Sequence, residues 1–298
     1  MAHNQFIQRP DSELQLCTII RIGHAFSNKW IDRNFLWKAK HRIAIDWTYT
    51  NPAPESNCSH ILITNTIEDI RVDDKSHQIK FIEQIHSHNG RVAPVIEQVT
   101  SIEMNLMRAL HTLVPEDGIL FIGNSMPIRD FSNVSIANRP DITVFANRGA
   151  SGIDGLISTA AGLAVSTQRH CTIVLGDLSA IHDLASLLYL KQLSARLRIV
   201  IVNNSGGQIF QNLPLSESQY FSPTFDAAHS TDLASITRAM TIESHTVDHV
   251  EAIKLIPIPK QPQLQVIELC IDKDSDFLSR QKDNEALCEA IDLIWGQD

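Results

Sequence analysis

Short apolar runs rich in β-branched residues alternate along the chain with longer amphipathic stretches. In the first quarter, Cys17 to Ile22, Arg42 to Asp46 and Ile61 to Asn65 read as strands. A polar region of helical period follows from about Lys75 to His111, and strands resume at Gly118 to Ile122, Ile142 to Ala146, Cys171 to Leu175, Leu197 to Val202 and Leu264 to Ile271. Helical patterns lie between and after them, at Gly152 to Val165, Asp183 to Ala195, Asp232 to Ser244, Val247 to Leu255 and Asn284 to Trp295. Alternation of this kind means βαβ units with right-handed crossovers, so the expected fold class is α/β with doubly wound parallel sheets covered on both faces. Periodicity is weakest around His86 to Val95, where His88-Asn89-Gly90 suits a linker. A boundary there gives domains 1–90 and 91–298. No period of 20 to 50 residues recurs, which sets aside solenoids and propellers.

Composition narrows the function. A hydrophobic share of 43% and a charged share of 20% fit a soluble globular protein of 298 residues. The net charge of -9, with no Lys/Arg cluster, argues against nucleic-acid binding. The apolar runs are far shorter than the roughly 20 residues a membrane span needs. The start, MAHNQFIQRP, has no apolar signal core, so a cytoplasmic protein is expected. Cys17, Cys58, Cys171, Cys270 and Cys288 are scattered and never form a CxxC pair, which reads as reduced, mostly buried thiols rather than a disulfide or zinc framework.

Chemistry concentrates between Cys171 and Phe210. Asp177 follows one strand directly, and Asn203 and Asn204 close the next, with Gly206 and Gly207 just beyond; Asp177 and Asn204 are 204 − 177 = 27 residues apart. If the strands are neighbours, about 4.8 Å apart, both side chains emerge at the carboxyl edge of the sheet, where open α/β sheets bind ligands. A carboxylate, an amide oxygen and a backbone carbonyl in a glycine turn suit a hard cation, magnesium best of all. Leu178 and Ser179 lead into a helix whose N–H groups can hold a phosphate. Taken singly, Asp177 reads as a helix cap and residues 203–207 as a polar turn. Together, at this spacing, they read as a magnesium-diphosphate site.

Gly-Asp at a strand end, followed after some 25 to 30 residues by Asn-Asn, resembles the signature of the thiamine-diphosphate enzymes. Longer strings, GNSMPIRD (123–130), ANRGASGIDGLISTAAG (146–162), GDLSAIHDLASLL (176–188) and VNNSGGQIFQNLP (202–214), are similar to those of one family among them, the 2-succinyl-5-enolpyruvyl-6-hydroxy-3-cyclohexene-1-carboxylate synthases of menaquinone biosynthesis. The similarity runs from about Thr18 to the C-terminus and is most specific within 118–214.

The resemblance implies a transferase that decarboxylates 2-oxoglutarate and adds the succinyl carbanion equivalent to isochorismate. Its cofactors would be thiamine diphosphate and magnesium, with manganese as the alternative. It implies that Asp177, Asn204 and the Gly206 carbonyl hold the metal, and that Gly176, Leu178, Ser179, Ile153, Ile209 and Phe210 contact the cofactor. Ser125, Arg129, Arg148 and Lys29 would bind the substrate acids. A guanidinium forks onto a carboxylate through two charge-assisted hydrogen bonds, which suits two acidic substrates. The competing readings are a surface ion pair for the arginines and plain core for Ile153, Ile209 and Phe210. Lys29 matches half of a basic pair, but Trp30 stands where the family usually has Arg.

In this family the glutamate that activates the cofactor lies in a separate N-terminal pyrimidine-binding domain, and the resemblance implies that the sequence given starts inside the middle domain. No catalytic residue is therefore assignable here; Glu217, Glu243 and Glu251 sit in turn or helical contexts with nothing to set them apart. The expected partner is a pyrimidine-binding domain from another chain, in a homo-oligomer. Two alternatives stand beside this one: a two-chain decarboxylase of a different 2-oxo acid, and a non-catalytic module that binds the cofactor or a partner. His245 and His249, four apart on an expected helix, and His86 with His88 have metal-like spacing but no accompanying ligand set. His182 falls near the expected site without a role.

Overall fold

The computed structural model describes residues 18–22, 41–46, 60–63, 90, 92–135, 139–212 and 214–295. Lys29, Trp30, His86 and His88 lie outside them. The chain divides into two compact units, residues 1–98 with 284–298, and residues 99–283.

In the first unit, β1 (Thr18–Ile22), β2 (His41–Asp46) and β3 (His60–Ile63) form a parallel sheet in the order β1-β2-β3. The three apolar runs of the first quarter thus become strands.

The second unit carries β4 (Ile119–Ile122), β5 (Thr143–Phe145), β6 (Cys171–Gly176), β7 (Arg196–Asn203), β8 (Glu243–Val247) and β9 (Gln263–Cys270). They form one parallel sheet in the order β5-β4-β6-β7-β9-β8, which makes the fold α/β. Period-two alternation divides the central strands between two faces. Ile119, Phe121, Cys171, Ile173, Leu175, Leu197, Ile199 and Ile201 share one core with Leu156, Ile157, Ala160, Ala161 and Ala164 of helix α3 (Leu156–Thr167). Leu120, Ile122, Val174, Val200 and Ile267 are equally buried on the alternate positions. A sheet buried on both faces is why these strands read as almost unbroken apolar runs. Each fully buried Ile or Leu stabilises the fold by roughly 1.5–3 kcal/mol.

Several elements differ from the sequence reading. Helix α1 is Ile102–Leu113, and an unforeseen helix α2 spans Met126–Val134, entered through Pro127 in its first turn. The expected helix from Asp183 to Ala195 is interrupted: α4 is Asp177–Asp183, a 3₁₀ turn covers Leu184–Ser186, and α5 is only Leu187–Leu190. Helix α6 stops at Ala239 (Leu233–Ala239), and residues 243–247, ESHTV, form edge strand β8 before α7 (Val250–Leu255). His245 therefore sits in a strand and His249 caps a helix, so the expected helical pair does not exist, and Glu243 is a strand residue. An edge strand half-open to solvent has too few apolar positions to announce itself. Helix α8 (Lys273–Trp295) closes the fold, its residues up to Asp283 belonging to the second unit. Of the described cysteines, Cys171 is buried but Cys270 and Cys288 are exposed, against the expectation of mostly buried thiols. Cys270 ends its strand outside the core and Cys288 lies on helix α8.

Among the described residues, no helix is long and apolar enough to cross a membrane.

Candidate functional site

Strands β6 and β7 are direct neighbours with Gly176 paired to Val202, so the chain leaves both at the same edge of the sheet. Asp177 opens α4 there, and Asn203 and Asn204 end β7 beside it. Both asparagines are buried, but only one is turned toward the site. Asn203 Nδ2 donates to Glu268 Oε1 (2.6 Å) and to the Thr231 carbonyl (3.0 Å), a structural role. Asn204 Nδ2 donates to Glu103 Oε1, which leaves Oδ1 as the atom available to a ligand.

The turn after Asn204 is shaped by two glycines. Gly206 has φ +147°, and a Cβ there would lie 2.3 Å from the Asp226 carbonyl oxygen. Only glycine allows that approach. The Gly207 N–H then donates to the same Asp226 oxygen (2.6 Å), and the His229 N–H donates to Ser205 O (3.3 Å). These bonds pull the 226–229 segment onto the turn and set His229 Nε2 3.2 Å from Asp177 Oδ2, a close polar contact rather than an aligned hydrogen bond. His229 Nδ1 accepts from Thr231 N–H (3.2 Å), so Nε2 is the protonated nitrogen facing the carboxylate.

Asp177 is only 2% exposed. Burial raises its pKa, against the opposing pull of the Leu178 N–H, His229 and the Gly206 N–H. Its Oδ1 accepts from Leu178 N–H (2.6 Å) and its Oδ2 from Gly206 N–H (3.0 Å). The Leu178 N–H expected to face a phosphate is thus engaged by Asp177 in this structure.

One cleft, enclosing about 680 Å³ with part of it open to solvent, is lined by Ser125, Ile153, Gly176, Asp177, Leu178, Ser179, Asn204, Gly206, Ile209 and Phe210. Ile153 and Ile209 are half-buried and Phe210 is exposed, so none of the three is plain core. Phe210 packs at a tilt against Phe225, with ring centroids 5.8 Å apart. Ser125, at the start of α2, has φ 71° and ψ −130°, a backbone conformation that costs a non-glycine residue about 1–3 kcal/mol.

The two arginines stand beside the cleft rather than in its lining. Arg129 Nη1 donates to the Ser125 carbonyl, and Arg148 Nη1 to Asn124 Oδ1 (3.0 Å). Burial lowers the Arg148 pKa, and the positive charge of Arg129 lowers it further. Neither arginine forms a salt bridge among the described residues, so the competing ion-pair reading has no support there. The charge of Arg129 also acts on the neighbouring Asp130 carboxylate, lowering its pKa against the effect of burial. His182 is exposed and lies outside the cleft lining.

Three participants escaped the sequence reading. Glu103 lines the cleft from the first turn of α1, and burial pushes its pKa up to about 7 while Arg280 pulls it down. Asp130 lines it too; its Oδ1 accepts from Arg280 Nη1 and its Oδ2 makes no hydrogen bond. His229 is the third. No motif marks Glu103 or His229, and Asp130 was visible only as the last letter of GNSMPIRD.

Asp177, Asn204 and the Gly206 carbonyl make an all-oxygen donor set on one rim, the type that hard divalent cations take. Among the described residues no group of three or more His, Cys, Asp or Glu could hold a metal ion, so a histidine- or cysteine-based centre has no counterpart there.

No protein-family model matches the chain. Its sequence is 40% identical over 179 residues to the 2-succinyl-5-enolpyruvyl-6-hydroxy-3-cyclohexene-1-carboxylate synthase of Bacillus velezensis, covering 59% of this chain and 31% of that protein. Synthases of the same name from Leuconostoc mesenteroides and Psychromonas ingrahamii are each 34% identical, over 193 and 218 residues. Those matches cover 64% and 72% of this chain and 35% and 36% of the relatives. The chain spans about a third of the length of the curated relatives it matches. Over the matched stretch, this chain is similar to the 2-succinyl-5-enolpyruvyl-6-hydroxy-3-cyclohexene-1-carboxylate synthases.

Proposed function

We propose that this chain forms the metal- and diphosphate-binding half of a thiamine-diphosphate-dependent carboligase that joins 2-oxoglutarate to isochorismate in menaquinone biosynthesis, in the cytoplasm. A pyrimidine-binding domain from another chain would complete the site. The observation that carries the reading is the pairing of Gly176 with Val202, which brings Asp177 and Asn204 to one sheet edge and into one cleft. The names of the relatives support the same reaction over a two-chain decarboxylase of another 2-oxo acid.

The residues present fit the cofactor and its metal. Asp177 is buried, and a divalent cation beside it would relieve the desolvation that now raises its pKa. Asn204 Oδ1 and the Gly206 carbonyl would complete the protein's share of a magnesium or manganese shell, with Gly176, Leu178 and Ser179 beside the diphosphate. Thiamine diphosphate, when bound, supplies the carbon nucleophile that allows a 2-oxo acid to lose carbon dioxide and be transferred.

This chain's own residues would bind and orient the substrates. Arg129 and Arg148 would fork onto their carboxylates, and Ser125 would add a hydrogen bond at the mouth of α2. Ile153, Ile209 and Phe210 would keep water from the reacting carbon.

Calorimetry of the chain with magnesium and thiamine diphosphate should show weak binding, below that of a completed site. Turnover of isochorismate and 2-oxoglutarate should appear when a pyrimidine-binding half is added. Failure of a well-folded pair to turn over would overturn the reading.

A further inference from the structure

We infer that Glu103 is a positioning residue that holds the Asn204 side chain with its oxygen, not its nitrogen, turned toward the metal locus, and that Arg280 fixes Glu103 for this task. The inference rests on the metal-site reading above and deepens it.

An asparagine beside a cation is productive in one orientation only. The two ends of its amide are almost the same shape, so packing alone does not choose between them. A carboxylate chooses, because it accepts hydrogen bonds and does not donate them. Glu103 Oε1 accepts from Asn204 Nδ2, and that bond turns Oδ1 the other way.

Glu103 is itself held from several sides. Arg280 Nη2 donates to Glu103 Oε2 while Nη1 donates to Asp130 Oδ1, so one planar fork spans two carboxylates. Asp276 Oδ2 stands 3.9 Å from the same guanidinium. Asp276 and Asp283 also grip the start of α1: Ser101 Oγ donates to Asp276 Oδ2 (3.0 Å), and the Thr100 and Ser101 N–H groups donate to Asp283 Oδ2 (2.9 and 2.8 Å). These bonds tie the turn that carries Glu103 to α8. Glu103, Asp130, Asp276 and Arg280 are each no more than 7% exposed. An ion cluster whose only task was to join α1 to α8 would have no need of Asn204.

The test is Glu103→Gln with manganese as the probe, followed by electron paramagnetic resonance on the full chain with thiamine diphosphate present. Glutamine has one acceptor oxygen, and both Asn204 and Arg280 require it. Manganese affinity should fall about 10-fold or more, the usual effect of removing a partner that orients a ligand, while the melting transition remains. The double variant Glu103→Gln/Asn204→Asp should recover most of that loss. It keeps the net charge and both hydrogen bonds, with the glutamine oxygen on Arg280 and its NH₂ group donating to the new carboxylate.

Unchanged affinity in the single variant, or no recovery in the double, overturns the inference. Should the single variant not fold, the double carries the test: folded and manganese-binding upholds it, folded and non-binding overturns it. A wild-type chain that binds no manganese refutes the metal site instead. The Asn204 side-chain amide proton resonances then decide the positioning separately, because they should shift in Glu103→Gln and an unchanged position would rule the contact out.

Discussion

Gly206→Ala tests the geometry of the turn on which the site depends. The new Cβ would meet the Asp226 carbonyl oxygen at 2.3 Å, where a relaxed contact needs about 3.5 Å, so the backbone must retreat by roughly 1 Å. At φ +147° an alanine also carries strain of about 1–3 kcal/mol. The retreat breaks the Gly207 N–H bond to Asp226 O, worth about 1 kcal/mol, and the Gly206 N–H bond to Asp177 Oδ2, worth about 1.5–3 kcal/mol because the acceptor is charged. Local rearrangement recovers part of this, which leaves an expected loss of about 3 kcal/mol. For a unit of this size that lowers the melting temperature by roughly 6–12 °C. Urea denaturation gives the stability change, and manganese titration gives the site. The variant should lose both stability and metal affinity, since the turn presents a main-chain carbonyl and pins Asp177. A Gly206→Ala chain within about 0.5 kcal/mol of wild type that binds manganese equally well would refute the reasoning.

Three further outcomes are expected. Gly162 lies in the exposed middle of α3 with open space around its Cβ position, so Gly162→Ala should raise stability by about 0.5–1 kcal/mol in the same urea assay. Glu268 accepts from Asn203 Nδ2 and from the Leu233 and Ala234 N–H groups at the start of α6; Glu268→Gln must turn an NH₂ group toward one of these donors and should cost about 2–4 kcal/mol. His170 is buried and faces Arg198 and Arg196, and burial, then those charges, lowers its pKa to about 4 from 6.5. Between those values the unfolded chain binds the proton and the folded one does not, so the contribution of His170 is present above pH 6.5 and is lost as pH falls toward 4. The loss amounts to about 3 kcal/mol. Denaturation of wild type and His170→Gln across pH 4–7 should show the wild type losing more stability on acidification, and parallel curves would contradict the shift.

Local pattern was enough for the strands. Cys171 to Leu175 and Leu197 to Val202 were readable because burial on both faces leaves an apolar residue at nearly every position, a property written into consecutive letters. The same was true of Asp177 and Asn204, since each directly follows such a run and neighbouring parallel strands end together. Elements with a mixed environment were less legible. β8 hid inside two helical patterns because an edge strand buries few side chains, and the break after Asp183 was hidden because that residue is spent on capping α3, accepting from the Gly155 and Ile157 N–H groups.

By itself, then, the sequence determined the α/β class, the placing of Asp177 and Asn204 at strand ends and the similarity to the synthases, while the adjacency of β6 and β7 came from the structure. The tertiary structure alone decided which asparagine faces the cleft, that His229 stands against Asp177, and that Glu103 and Arg280, 177 residues apart, meet behind Asn204. Hydrophobic periodicity records whether a residue is buried. It holds no information about which distant partner a buried polar group will find, because that choice depends on how the finished elements pack.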